Sequence, residues 1–441
     1  MKKLILFIFL IYVHNINAQI ITTIAGSNAG FSGDGGQAIV SKINYPMGIT
    51  FDTEGNLYFL DAGNYRIRKI STSGIITTIA GTGVQKLGGN DGPAIDAQFN
   101  NTANLVFDPS GNLYVSDCAN NQIRKISPSG IITAVAGNGI DGVTGDGGQA
   151  LSARISQPWG LAFDAVGNLY FAEYGNHCIR KVSAAGIITT VAGIGSIGYG
   201  GFNGDGIKAI NAQLLRPTDI VFDKTGNLYI CDEGNSRIRK VDASGIISTI
   251  AGSGSSVYGG DGGIATDAGF CCAQNIEFDS FGNLYIAGFG AVRMVNTLGI
   301  ISTVAGDGTS GFSGDNGPAN ASKVSYPFAI AFDPMGNLYI SDSWNHRLRK
   351  ITNIVTSIVD FSNSTKEIFI YPNPTSGIFT IDSGAKEIQT IDLYDASGRK
   401  VFSKKMVERI DIDATDLVNG VYFITIHAGV NITQTKLIIM H

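Results

Sequence analysis

The sequence predicts an all-β chain: a six-bladed β-propeller of four-stranded antiparallel blades, followed by a small Ig-like β-sandwich. Three observations carry this. The string Gly-Asn-Leu-Tyr occurs six times, with its glycines at Gly55, Gly111, Gly167, Gly226, Gly282 and Gly336, spaced 56, 56, 59, 56 and 54 residues apart. So regular a period marks one structural unit copied six times. Glycine is abundant, 58 of 441 residues, and is interspersed with aromatic and β-branched residues, the pattern of short strands joined by tight turns. Near Val359 the period stops and another strand-and-turn rhythm begins.

From the N-terminus, residues 1–18 read as a secretory signal peptide. Lys2 and Lys3 give a basic start, Leu4 to Val13 is an apolar run too short to span a bilayer, and Ala18 is a small residue suited to cleavage. No later stretch is long and apolar enough for a membrane helix. Losing the two lysines moves the net charge from −5 to −7. A mildly acidic, charge-poor chain lacks the basic surface that nucleic-acid binding needs.

Residues 19–358 form the propeller. In the first unit, Gly48 to Asp52, Asn56 to Asp61, Tyr65 to Ile70 and Ile75 to Ala80 read as four strands, with turns at Thr53-Glu-Gly55, Ala62-Gly-Asn64 and Ser71 to Gly74. Strands such as Leu-Tyr-Phe-Leu are apolar on both faces, so each sheet must be covered on both sides. Radial blades do this by packing on their neighbours. The mature chain opens on Gln19-Ile-Ile-Thr-Thr-Ile-Ala-Gly26, a copy of the fourth strand without its partners. Its expected place is the outer edge of blade six, where it closes the ring in preference to Asn353 to Val359. Six copies of Phe-Asp-x-x-Gly-Asn-Leu-Tyr, followed in most by motifs such as Asp232-Glu-Gly-Asn-Ser-Arg-Ile-Arg-Lys-Val241, resemble the NHL repeat family. Blade five departs from the pattern with Gly288-Phe-Gly-Ala-Val-Arg-Met-Val295, which lacks the Asp and requires a shorter turn.

After a linker at 359–366, residues 367–441 read as the small sandwich. Tyr371-Pro372-Asn373-Pro374 with Gly377, Gly398-Arg399, Gly420 with Tyr422, and Lys436 resemble the type IX secretion C-terminal sorting domain. The resemblance implies transport across the outer membrane by that machinery, removal of the domain, and release or attachment at the cell surface.

The chemistry-bearing residues divide into repeated and unrepeated ones. Asp52, Asp108, Asp164, Asp223, Asp279 and Asp333 recur in every blade and read as turn caps, since a catalytic group is needed once. The Asp61 and Arg68 series read as framework ion pairs. Asp34, Asp91, Asp146, Asp205, Asp261 and Asp315 lie in Gly-rich loops and could reach calcium, but that ion wants about six to eight oxygens together and each loop offers one carboxylate. His177 and His346 fall on opposite blades and cannot share a metal. Cys118, Cys178, Cys231, Cys271 and Cys272 read as buried thiols, with a vicinal bridge between the last two as the alternative.

Where the symmetry breaks, the innermost strand begins with Gly48, Asn104, Gly160, Asp219, Asn275 and Ala329, and two residues on it carries a single charge, Glu277. Met47, Trp159 and Phe328 sit just before these positions. Asn104, Asp219, Asn275, Glu277, Trp159, Phe328 and Met47 are thus the candidate ligand site at the channel mouth. The alternative for these residues is that Glu277 and Asp219 touch channel water while the aromatics plug the mouth. The expected function is an exported binding module for an extracellular protein or glycan. The competing reading is a secreted lyase or lactonase-type hydrolase in the channel, with Asp219 and Glu277 as acid and base. No nucleophile motif is present.

Overall fold

The computed structural model describes residues 19–195, 200–352, 369–371, 375–382, 388–395, 399–407, 409–428 and 431–439. The signal segment 1–18, the linker at 359–366 and the rival strand at 353–359 lie outside these. The chain divides into two compact units, Met1–Ile354 and Val355–His441.

The first unit is six antiparallel blades. In blade one the strands run outward as Pro46–Phe51, Leu57–Asp61, Arg66–Ile70 and Ile76–Ala80. The other innermost strands are Thr102–Phe107, Pro158–Phe163, Pro217–Phe222, Asn275–Phe278 and Pro327–Phe332. Each packs against the next, and the last packs against the first, so the ring is closed. The leading strand Ile20–Ala25 is the outer strand of blade six. It pairs antiparallel with Arg347–Thr352, Ile20 opposite Thr352 and Thr22 opposite Lys350. Two-residue strands at Gly92–Pro93, Ile207–Lys208 and Gly317–Pro318 add a short fifth rung to three blades.

Neighbouring blades adhere through the repeated aromatics. The Tyr of each Gly-Asn-Leu-Tyr string meets the Phe ending the next blade's inner strand edge-to-face, as in Tyr58–Phe107 at 5.0 Å and Tyr170–Phe222 at 4.9 Å between centroids. Tyr339–Phe51 at 4.8 Å carries the same contact across the closure. Such pairs contribute about 0.5–1.5 kcal/mol each beyond their buried area.

The repeated polar residues are framework. Asp52 Oδ1 accepts the backbone N–H groups of Glu54 and Asn56 at 3.0 and 2.8 Å, and the same Asp cap on the turn recurs in all six blades. Five arginines are wholly or almost wholly buried against a carboxylate of their own blade: Arg68–Asp61 (3.0 Å), Arg124–Asp117 (3.3 Å), Arg180–Glu173 (3.0 Å), Arg239–Asp232 (3.4 Å) and Arg349–Asp342 (3.2 Å). Burial pushes Asp117, Asp232 and Asp342 up to about 6 despite the arginines.

Each of these carboxylates also accepts the backbone N–H of the residue two before the inner strand's first position: Asn44, Asn100, Ser156, Leu215 or Ser325. The bond clamps the incoming loop to the blade. Blade five has Gly288 in place of the acid, and a Cβ there would stand 3.0 Å from the Cys271 carbonyl oxygen. Cys271 stands at the position of the clamped residue, and it is joined to Cys272 as a disulfide. The buried-thiol reading therefore holds for Cys118, Cys178 and Cys231 and is corrected for this pair. The bridge lies within the loop; the contact to the blade is the Phe289 backbone N–H, which donates to the Cys271 carbonyl at 3.4 Å.

The second unit has a three-stranded sheet, Phe369–Tyr371, Ile378–Asp382 and Arg409–Asp413, and a four-stranded sheet, Ile388–Asp395, Lys400–Val407, Gly420–Ala428 and Asn431–Ile439. They share one core, with Phe379 and Ile381 from the first and Ile391, Leu393 and Ile424 from the second. Of the sorting residues, Tyr371 and Lys436 lie in strands, and Gly377, Arg399, Gly420 and Tyr422 are described. The Tyr422 hydroxyl donates to the Val418 carbonyl at 2.9 Å. Pro372, Asn373, Pro374 and Gly398 fall outside the described residues. No helix among the described residues is long and apolar enough to cross a membrane.

Candidate functional site

Six inner strands around one axis leave a channel, and its cavity measures about 370 Å³. Because strand residues alternate in direction, the positions of Gly48 and Thr50 and their equivalents share the channel side. Asn104, Asp219, Asn275 and Glu277 accordingly all line the cavity.

The first three are bonded to one another. Asp219 Oδ1 accepts the Asn104 amide at 2.9 Å, and Oδ2 accepts the Asn275 amide at 2.6 Å and the Ile276 backbone N–H at 2.9 Å. Asn275 Oδ1 in turn accepts the Ile330 N–H at 2.9 Å. A polar belt thus runs from blade two through blades four and five to blade six. Asn104 reaches past blade three because Gly160 has no side chain; a Cβ there would lie 2.4 Å from both Asp219 Cα and Oδ1. Gly48 likewise admits Asn104, whose Cα would be 2.8 Å from an added Cβ.

Burial raises the Asp219 pKa well above the carboxylate range, three donors oppose this, and nearby Glu277 pushes it further. Glu277, facing mostly Thr50, Val106, Ala162, Val221 and Ala331, is pushed up to about 7 by burial.

At the end where the long loops enter, the channel is stoppered. Met47 and Phe328 are buried in the core, and Trp159 lies 5.5 Å from Phe328 across the axis. The sequence reading placed these residues at the mouth but missed the larger feature they begin. Trp159 stacks on Tyr174 at 4.6 Å, Phe328 meets Tyr326 at 6.2 Å, and Tyr326 stacks on Trp344 at 5.1 Å. Trp344 is 52% exposed, and its indole N–H donates to the Tyr45 hydroxyl at 3.4 Å. Arg216 lies over the Tyr174 ring at 5.8 Å, and its charge opposes the rise that burial imposes on Glu233. An aromatic strip therefore crosses the loop face from blade six to blade three and ends in a charged rim. Part of the signal for it was available: aligning the residues after the Asp61-type acid gives Ala62, Cys118, Tyr174, Glu233 and Ser343, a variable series beside a mostly acidic one.

Five of the Gly-rich-loop aspartates are engaged by arginine: Asp34, Asp146, Asp205, Asp261 and Asp315 lie 2.5–2.9 Å from Arg68, Arg180, Arg239, Arg293 and Arg349. In blade two Asn90 takes that part, accepting from Arg124 Nε at 2.9 Å. Asp91 is the sixth, with a left-handed backbone (φ 63°). Among the described residues, no group of three or more His, Cys, Asp or Glu could hold a metal ion. His177 and His346 act at blade junctions, where each Nδ1 accepts the backbone N–H of Arg216 or Tyr45 at 3.0 and 3.1 Å.

Comparison with known proteins gives three results. The secretion system C-terminal sorting domain matches residues 369–440. The teneurin NHL domain matches 23–88, 133–199 and 201–259, and the NHL repeat matches 325–351. Teneurin-4 of Mus musculus is 28% identical over 410 residues, covering 84% of this chain and 14% of that protein. Teneurin-4 of Homo sapiens is 30% identical over 355 residues, covering 72% and 12%. The chain thus spans a small part of the length of these relatives. Among solved structures, a protein of unknown function from Bacteroides thetaiotaomicron superposes with TM-score 0.56 at 19% identity, covering 76% of each chain. An auxiliary nutrient binding protein from the same organism superposes with TM-score 0.56 at 15% identity and the same coverage. These are likenesses of fold.

Proposed function

We propose that this chain, an NHL-repeat propeller ending in a secretion system C-terminal sorting domain, is a non-catalytic binding module whose ligand docks on the loop face of the ring. The sorting domain directs it through type IX secretion to the cell surface or extracellular space. The observation that carries the binding reading is the aromatic strip from Trp344 through Tyr326, Phe328 and Trp159 to Tyr174. Large rigid rings with polar tips provide contact area at little conformational cost, and a charged rim at Arg216 and Glu233 sets orientation.

The enzymatic alternative is weaker on the same geometry. An acid and a base must both reach the substrate. Both Asp219 oxygens already accept hydrogen bonds, and the residue is 3% exposed. Glu277 is left without a proton-transfer partner.

The test is binding of the full mature chain to glycan and extracellular-protein arrays, with and without Trp344→Ala. At least a tenfold weakening in the variant is expected. No binding to either class, or binding indifferent to both Trp344→Ala and Arg216→Ala, overturns the reading.

A further inference from the structure

The loop face carries an open cleft, of about 380 Å³, between blades one and two. It is lined by Tyr45, Ala62, Gly63, Tyr65, Gln85, Asn100, Asn101 and Ala119. Its volume lies within the usual small-ligand range of roughly 300–1,000 Å³. The cleft exists because the repeat is broken there. The position of Ala62 carries Tyr174 in blade three and Glu233 in blade four, and the position of Gly63 and Ala119 carries Trp344 in blade six. In blades one and two both positions are small, as Ala62, Gly63, Cys118 and Ala119, so the face is open; blades three, four and six each carry one large side chain there.

The junction between these two blades is also open. At three blade junctions an acceptor in the first blade takes the backbone N–H of the left-handed residue leading into the next: Asn121 takes Gln157 at 3.0 Å, His177 takes Arg216 at 3.0 Å, and His346 takes Tyr45 at 3.1 Å. Between blades one and two that place belongs to Tyr65, whose hydroxyl instead donates to Gln85 Oε1 at 2.9 Å. Asn101, exposed and with φ 53° at the cleft wall, has no such side-chain acceptor, as is also the case for Cys272 and Tyr326 at the junctions into blades five and six. Gln85 Nε2 donates to Asn100 Oδ1 at 2.9 Å, so a row of amides and a phenol is already ordered along the cleft.

We infer that this cleft is a subsite for a neutral saccharide. The inference rests on the binding reading above and names its ligand class. The lining has no charged side chain, which disfavours anionic or cationic ligands. It has amide donors and acceptors for hydroxyl groups and two tyrosine rings for a sugar's apolar face. Tyr45 joins it directly to the exposed Trp344, so a longer glycan continues from the cleft onto the strip.

The test uses saturation-transfer NMR of the mature chain with lactose, cellobiose and mannobiose, and 3′-sialyllactose as the acidic control. Ala62→Tyr fills the cleft with the side chain that blade three already carries at this position. Gln85→Ala removes an exposed amide and serves if the first variant misfolds. A neutral disaccharide whose affinity falls at least tenfold in both variants, with the melting temperature retained in Gln85→Ala, is the expected result. Signals only from the acidic sugar, or neutral binding unchanged by Gln85→Ala, overturn the saccharide cleft. Array binding that depends on Trp344 but lacks any neutral sugar also overturns it, and leaves the binding reading standing.

Discussion

Asp219→Ala separates a brace from a working site. The carboxylate is acceptor to three donors on two other blades, at 2.6–2.9 Å. Truncation leaves the Ile276 N–H and the Asn275 amide without their acceptor, and both residues are buried. A buried donor left unsatisfied costs about 1–3 kcal/mol. Asn104 is only half-buried and regains water from the channel, so two donors set the scale. Against this, the folded state no longer holds an acid whose pKa burial has raised. The expected net destabilisation is about 2–5 kcal/mol. Asp219→Asn keeps one acceptor oxygen and turns a donor toward Asn104, so it falls between wild type and alanine.

Urea unfolding followed by tryptophan fluorescence measures this, since both tryptophans, Trp159 and Trp344, belong to the propeller. The midpoint shifts with m unchanged if the folded state alone is weakened. A double-mutant cycle with Asn275→Ala yields a coupling of about 0.5–3 kcal/mol if the bond is real. Functional sites are commonly held at a cost to stability. A neutral or stabilising Asp219→Ala would therefore refute the brace and return Asp219 to the list of acting residues.

Two further predictions concern the channel and blade five. Glu277 has a folded pKa raised from 4.5 to about 7, so its folded state binds the proton more tightly than the unfolded chain. Its contribution is fullest below about pH 4.5 and is lost as pH rises through 7, at no more than about 1.4 kcal/mol per pH unit. Glu277→Gln flattens that part of the profile; identical profiles for the two proteins exclude the shift. The loop entering blade five has no carboxylate clamp, and reduction of Cys271–Cys272 removes a restraint within it. Amide exchange should be faster at 269–275 than at the clamped loops around Asn44 and Leu215, and rise further there alone on reduction; equal exchange at all three loops refutes the clamp's role.

The fold was legible because repetition multiplies weak signals. One Phe-Asp-x-x-Gly-Asn-Leu-Tyr string is a turn between two strands, and six at even spacing are a ring. The caps at Asp52 and its equivalents follow from local chemistry, since the Asp and the N–H groups it binds are two and four residues apart. The site was legible only in part. Channel-facing positions follow from strand alternation, which is how Asn104, Asp219, Asn275 and Glu277 were found together. Their mutual bonding was hidden, because Asn104 lies 115 residues from Asp219 and meets it only across the bare backbone of Gly160. Tyr174, Tyr326 and Trp344 were missed because they stand in turns and loop ends, outside the strings that define the repeat.

The division between constant and variable positions has a mechanical cause. In five blades a single buried carboxylate does two things: it neutralises the arginine in the blade and holds the N–H of the arriving loop. With the loop's last residues fixed from below, the side chains above bear little of the fold's stability. They can be Ala62 and Gly63 in one blade and Tyr174 or Trp344 in another without moving the backbone. Blade five tests the logic within the molecule. There the carboxylate is gone, Arg293 keeps only the loop aspartate, Asp261 at 2.5 Å, and the loop is held by the Phe289 backbone N–H on the Cys271 carbonyl at 3.4 Å. The clamp can change its chemistry, but the loop entry stays held. That requirement lets one ring present an aromatic strip on one side and an open polar cleft on the other.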